Sequence, residues 1–276
     1  MALTEFAIWA SGRTLGEQGP EAARLLEELG FGALWLGGSP GVDDLRPLLE
    51  ATETLTVATS IANVWRYGAA EMVADWERLE GEFPGRALVG IGAGHPETDD
   101  VYEKPFSSVS AYLDRLDEAG QPAPERRLLA ALGPRMIDLA AARAAGSIPY
   151  FVPVGHTRYS RERLGEGPLL APEMACVLDE DEDRARAKAR RFAKLYLGLS
   201  NYRKAVLRGG FEEADLEDGG SDRMIDAVVP HGSAEQVATV ARAHLEAGAD
   251  HVALQAVGTD GLPRAEWTAL AAALIA

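Results

Sequence analysis

The sequence has a single cysteine, Cys176, in 276 residues, which excludes an internal disulfide. It is also short of positive charge, with 27 Lys and Arg against 43 Asp and Glu and a formal net charge of -16. A nucleic-acid binder needs a basic face, and none is visible. The most basic run, 184–194, alternates with alanines and follows the acidic run 179–183. Acids at the start and bases beyond suit the dipole of a solvated helix. No stretch approaches the roughly 20 apolar residues that span a bilayer. The opening Met1-Ala2-Leu3-Thr4-Glu5 lacks the basic start and apolar run of a secretion signal. These absences lead to the expectation of a cytoplasmic protein with neither a nucleic-acid nor a membrane partner. His95, His156, His231, His244 and His251 form no short pair spaced for a metal site, so no metal is expected. Missing too are a Gly-x-Ser-x-Gly elbow, a Walker lysine and a Gly-x-Gly-x-x-Gly after the first strand.

What is present centres on Arg86-Ala87-Leu88-Val89-Gly90-Ile91-Gly92-Ala93-Gly94-His95. Ala87 to Ile91 read as a buried strand entered from the helix-breaking Pro84-Gly85. Gly90, Gly92 and Gly94 fall on alternate positions and so face one way, leaving bare backbone that something can approach closely. His95 then stands at the C-terminal end of the strand, where parallel α/β proteins place their chemistry.

Seven further strands read along the chain: 6–9, 33–36, 55–61, 128–132, 148–152, 174–178 and one after Gly248. Helical patterns fill the intervals at 20–29, 43–53, 69–83, 107–119, 135–145, 157–164 and 182–197. The capping box Ser233-Ala234-Glu235-Gln236 opens another. A helix ending in Gly before a strand recurs at Gly30, Gly146 and Gly248. Eight βα units in about 250 residues predict a (β/α)8 TIM barrel as one domain over 1–276. The rhythm breaks at 199–229, between strands seven and eight, which reads as an insertion near the barrel mouth. Trp35 and Trp76 read as packing residues, His244 and His251 as structural, and His231 as a surface residue. The strand ends offer glycines, aromatics, hydroxyls and His95, which suits a large planar cofactor held by backbone and apolar contacts.

The chain resembles the luciferase-like monooxygenase superfamily of barrels and, within it, the coenzyme F420-dependent oxidoreductases. The likeness runs over nearly the whole chain. It is clearest in Leu55-Thr56-Val57-Ala58-Thr59-Ser60-Ile61 with Trp65-Arg66-Tyr67, and in Gly85-Arg86 through His95. Later stretches, Asn201-Tyr202-Arg203, Gly210-Phe211, Ser221-Asp222 and Gly248-Ala249-Asp250-His251-Val252, look like an actinobacterial subgroup of deazaflavin-dependent enzymes.

The resemblance implies an oxidoreductase transferring a hydride between coenzyme F420 and a small organic substrate. The alternatives are an FMN-dependent monooxygenase or a non-catalytic binder of either cofactor. It implies a non-proline cis bond at Ser60-Ile61 against the back of the ring. Gly92, Ala93, Gly94 and His95 would lie near the ring, and Ala131, Leu132, Gly133, His156 and Thr157 near the tail phosphate. Trp9, Asn63, Trp65 and Tyr67 would shape the substrate pocket, and His95 would carry the proton, as an imidazole near its ordinary pKa can. Pairing through the early helices 43–53 and 69–83 would give a homodimer. Two features depart from the family pattern. Gly37-Gly38-Ser39 stands where better-known members carry an acid-histidine pair. His95 stands where some sugar-phosphate dehydrogenases carry glutamate, so a sugar phosphate is not the expected substrate. Leu132, too, occupies a position that is often glycine.

Overall fold

The computed structural model describes residues 3–95 and 104–275. Short apolar runs with β-branched residues form parallel strands: β1 (Phe6–Ser11), β2 (Ala33–Gly37), β3 (Thr56–Asn63), β4 (Ala87–Gly92), β5 (Arg127–Leu129), β6 (Gly146–Ser147), β7 (Leu169–Leu170), β8 (Glu173–Leu178), β9 (His231–Gly232) and β10 (Val252–Ala256). Their order is β7-β6-β5-β4-β3-β2-β1-β10-β8-β9. This is the alternating α/β architecture expected of a TIM barrel, and the ladder of strands is not closed.

The order ends at β7 on one side and, on the other, at β8 with the short β9 beside it, and β7 and β8 are separated only by Ala171-Pro172. Pro172 has no N–H to give to a ladder. The backbone on either side still bonds outward. Ala171 and Glu173 donate to Ser147 and Pro149 at 2.9 Å each, and Pro172 accepts from Ala253 at 3.0 Å. Residues 169–178 therefore bridge the two flanks of the sheet.

Alternation along the strands makes two cores. Ala7, Trp9, Ala33, Trp35, Ala58, Leu88, Leu128, Ile148, Ala171 and Ala253 fill the interior. The opposite faces pack against the outer helices. At the floor of the interior, Trp35 Nε1 donates to His251 Nε2 at 2.8 Å, so the ring proton of His251 sits on Nδ1, facing the Thr4 carbonyl. Burial pulls the His251 pKa down to about 4, which fits its structural reading.

Several expectations are corrected. Strand six was expected at 148–152; β6 is Gly146–Ser147, because Pro149 cannot donate and Phe151 turns the chain with φ 53°. The helix expected at 43–53 is a tight turn, Asp43–Leu45, followed by Arg46–Glu50, with Pro47 in the opening turn of the second piece. His231 is half-buried rather than on the surface, with Nδ1 3.2 Å from the Val229 carbonyl.

The largest revision concerns the insertion. Helix Glu182–Leu197 was read as the seventh outer helix. Its buried stripe Ala185, Ala189, Ala193 and Leu197 instead shares a third core with Tyr202, Val206, Leu216, Met224, Ile225 and Val228. That core also holds Ala175 and Val177 of β8, Val257 just past β10, and Phe151 in the chain that leaves β6. Helices Glu182–Leu197, Ser200–Arg208 and Asp222–Val228 together form a cap over the C-terminal ends of the strands. Helix Ala234–Glu246 takes the outer-layer place, packed against Val154–Leu164 and Arg264–Leu274. Among the described residues no helix is long and apolar enough to cross a membrane.

Candidate active site at the barrel mouth

The site begins where β3 ends. The Ser60-Ile61 peptide is cis, as the resemblance implies, and the β3–β4 register slips between Thr59 and Ala62. The bare backbone of β4 receives this bulge. A Cβ on Gly90 would lie 2.3 Å from the Thr59 carbonyl oxygen and 2.5 Å from Ile148 Cδ1. On Gly92 it would lie 3.0 Å from Ala130 Cβ and 3.1 Å from Ile61. The closely approaching group at Gly90 and Gly92 is thus the protein itself. Only Gly94, with φ 63°, needs glycine for its backbone.

Trp9 rises beside the bulge. Its Nε1 donates to Ser60 Oγ at 3.0 Å, and its indole fills the space of the missing Gly37 side chain, where a Cβ would sit 1.9 Å from Cζ2. Tyr150 packs on Trp9 with ring centroids 5.3 Å apart. The Tyr150 hydroxyl donates to Gln255 Oε1 at 2.7 Å and lies 2.9 Å from the Tyr196 hydroxyl. With its own proton given to Gln255, Tyr150 accepts from Tyr196. Burial pushes the Tyr150 pKa well above its ordinary value, so the phenol stays neutral.

Trp65 fixes the exit from β4. Its Nε1 donates to the Ala93 carbonyl at 2.6 Å, and its backbone N–H donates to Asn63 Oδ1 at 3.0 Å. Asn63 is buried. Tyr67 lies elsewhere: its hydroxyl donates to Asp75 Oδ2 and accepts from the Val42 N–H at 3.2 Å, within the packing between the sheet and the outer helices.

His95 is half-buried and is met by the cap. Asn201 Nδ2 is 3.0 Å from His95 Nδ1, and the Tyr202 hydroxyl is 3.3 Å from Nε2. Tyr202 is buried among Tyr150, Phe151 and Tyr196, with centroids at 6.1, 5.9 and 5.2 Å.

The other predicted residues gather around the ends of β5 and β6. Ala131 is buried, Leu132 and Gly133 are half-buried, and the space where a Gly133 side chain would stand is open. His156 and Thr157 have no exposed surface. His156 Nε2 is 3.0 Å from the Leu132 carbonyl and Nδ1 is 3.1 Å from Ser160 Oγ. Burial, with Arg208 nearby, lowers its pKa to about 4. Thr157 Oγ1 is 2.8 Å from His244 Nδ1. Neither side chain faces outward to meet a phosphate, and both backbone N–H groups already donate to the Pro153 carbonyl, His156 at 2.9 Å and Thr157 at 3.3 Å. Among the described residues no group of His, Cys, Asp and Glu could hold a metal.

Tyr150, Gln255 and Glu173 were not singled out from the sequence, and Asn201 and Tyr202 stood out only as part of a family-like stretch, with no role at the site implied. Glu173 stands directly opposite Ala253 in the β8–β10 register and so points into the barrel interior. Its Oε2 accepts from the Phe151 N–H at 3.1 Å, while Oε1 is buried with no partner. Burial pushes its pKa up to about 8. The available signal was a lone acid within the otherwise apolar run 169–178.

Residues 4–121 match the family model of the luciferase-like monooxygenases. Comparison with curated protein sequences gives no match. Solved structures superpose over almost the full length. An F420-dependent secondary alcohol dehydrogenase in complex with an F420-acetone adduct is 15% identical, with TM-score 0.77 over 99% of this chain and 98% of that one. The coenzyme F420-dependent tetrahydromethanopterin reductase of Methanopyrus kandleri is 15% identical, with TM-score 0.73 over 99% of each. The oxygenating constituent of 3,6-diketocamphane monooxygenase from Pseudomonas putida, in complex with FMN, is 14% identical, with TM-score 0.71 over 98% and 96%. The fold is that of the luciferase-like barrels.

Proposed function

We propose that this luciferase-like barrel is an oxidoreductase that transfers a hydride between coenzyme F420 and a small organic substrate. The observation that supports this most directly is the juxtaposition of the Ser60-Ile61 bulge, the Gly92-Ala93-Gly94 backbone and a hydrogen-bonded His95 at one barrel mouth. These residues suit a flat, uncharged ring: Ile61 offers an apolar face, and Ala93 and Gly94 bring little side-chain bulk. Ser60, Ile61, Ala93 and Gly94 would back the ring, with Gly92 making room for Ile61 beneath it. Backbone groups at Ala131, Leu132 and Gly133 would face the tail phosphate, with the open space beside Gly133 as the approach; His156 and Thr157 hold the turn beneath it.

When bound, the deazaflavin supplies the hydride-carrying carbon. The chain supplies orientation, exclusion of water and proton handling. Trp9, held by Ser60 and Tyr150, forms an apolar wall. Asn63 and Trp65 hold the β4 exit that carries His95, while Tyr67 bonds to Val42 and Asp75 in the packing layer. Tyr150 and Tyr196 stay neutral, so they orient by hydrogen bonds rather than exchange protons. His95 holds or moves the proton that accompanies hydride transfer.

FMN is the alternative, favoured by the likeness to the FMN-bound monooxygenase component. A homodimer through Asp43–Leu45, Arg46–Glu50 and Ala69–Glu82 belongs to the same proposal; a monomer by light scattering would remove it. The test of the cofactor is a side-by-side titration with F420 and FMN, followed optically. The deazaflavin absorbs in the blue-violet, and FMN shows a second band. Saturable F420 binding tighter than FMN is expected. The reverse order would move the assignment to an FMN enzyme, and binding of neither would remove it.

A further inference from the structure

We infer that Asn201, on the cap, is a positioning residue that sets which ring nitrogen of His95 carries the proton. The inference rests on the reading of His95 as a proton carrier. It starts from a distance: Asn201 Nδ2 lies 3.0 Å from His95 Nδ1. An amide NH2 only donates, and a neutral imidazole has one donor and one acceptor nitrogen. Nδ1 is then the acceptor, and the proton sits on Nε2, 3.3 Å from the Tyr202 hydroxyl.

The opposite amide orientation would place Oδ1 against the ring and send the NH2 to the other position. As it stands, Oδ1 on the other side of the amide is buried and meets no donor. An orphaned N–H donor is rarer in protein interiors than an under-satisfied carbonyl. With Nδ2 as the group 3.0 Å from Nδ1, the orphan is a carbonyl and the ring carries the Nε2–H tautomer.

The helix carrying Asn201 is held at both ends, so this control is rigid. At its start, Tyr202 is buried among Phe151, Tyr196 and Tyr150. At its end, Gly209 and Gly155 meet backbone to backbone: a Cβ on Gly155 would fall 2.2 Å from the Gly209 carbonyl oxygen, and one on Gly209 would fall 2.4 Å from Pro153 Cγ. The cap spans from the end of β4 to the turn after β6, and its contact with His95 is part of the working site.

Nitrogen NMR of histidine-labelled protein reads the tautomer, because protonated and lone-pair ring nitrogens have well-separated shifts. His95→Gln assigns the His95 signals by their loss. The wild-type protein should show His95 protonated at Nε2 with a lone pair at Nδ1; the reverse pattern overturns the inference. In Asn201→Asp the carboxylate can only accept, and Nδ1 should become protonated. In Asn201→Leu the donor is gone, and both nitrogens should move to intermediate shifts as the tautomers exchange. His95 signals that match wild type in a folded variant overturn the inference. Turnover of His95→Gln is a separate test. If it equals wild type while the Asn201 variants shift as stated, the proton-carrier reading fails and the tautomer control stands.

Discussion

Replacing Glu173 by Gln should remove a specific part of the pH dependence of stability. Glu173 is 3% exposed, faces the barrel interior, and accepts from the Phe151 N–H. An ionised carboxylate there is poorly solvated, and its pKa rises from the ordinary 4.5 to about 8. A raised acid pKa means that the folded protein holds a proton which the unfolded chain releases. The stabilisation is complete below pH 4.5 and is lost as pH rises through 8. Each pH unit in that window is worth about 1.4 kcal/mol, so wild-type stability should fall by about 3 kcal/mol between pH 4.5 and 7. By pH 8 and above the loss should reach about 5 kcal/mol. Glutamine keeps an acceptor for the Phe151 N–H and cannot ionise. The assay is urea unfolding of both proteins from pH 5 to pH 9, read as the difference between them. Subtraction cancels His156, His244 and His251, whose pKa values near 4 make stability fall in acid instead. The Glu173→Gln protein should gain on wild type steadily as pH rises. A difference that stays flat over this range would mean that the carboxylate is ionised and solvated in the native state, contrary to its placement.

Losing a general acid or base costs roughly 10²–10⁴-fold in turnover, and His95→Gln should fall in that range with little change in cofactor affinity. Single-turnover reaction at the wild-type rate across pH 6–8 would leave His95 as a pocket wall only. Gly90→Ala should destabilise by about 1–3 kcal/mol or more, because its Cβ would fall 2.3 Å from the backbone oxygen of Thr59, which cannot swing away. A chemical-denaturation midpoint equal to wild type would show that the β3 bulge is softer than this packing implies. His251→Leu removes the acceptor for the buried Trp35 Nε1–H and should cost about 1–3 kcal/mol; a neutral effect would mean that the indole finds another acceptor.

The barrel was legible because each strand is a compact apolar run bounded by glycine or proline, and each intervening helix carries an apolar stripe. Ala87 to His95 drew attention through its alternate glycines, although the space at Gly90 and Gly92 is taken by Thr59, Ile148 and Ile61 rather than by an outside group. The Ser60-Ile61 geometry came from the family resemblance; periodicity alone does not distinguish cis from trans. The cap was half seen. Helix Glu182–Leu197 has the length and stripe of an ordinary outer helix, and nothing local says that its alanines pack on Tyr202 and Met224 rather than on the sheet. Asn201 and Tyr202 reach His95 across more than a hundred positions of sequence, a proximity that no local pattern encodes. The side chains of His156 and Thr157 were expected near a phosphate, but both bond within the protein, His156 to the Leu132 carbonyl and Ser160 and Thr157 to His244.

The central claim is that the C-terminal mouth receives a deazaflavin beside His95. A crystal structure of the protein soaked with F420 tests it most directly. The ring is expected against Ile61 and the Ala93-Gly94 backbone, with His95 still held by Asn201 and the tail running toward Gly133. A ring bound outside the mouth, or against Ile61 with the tail directed away from Gly133, would contradict the account.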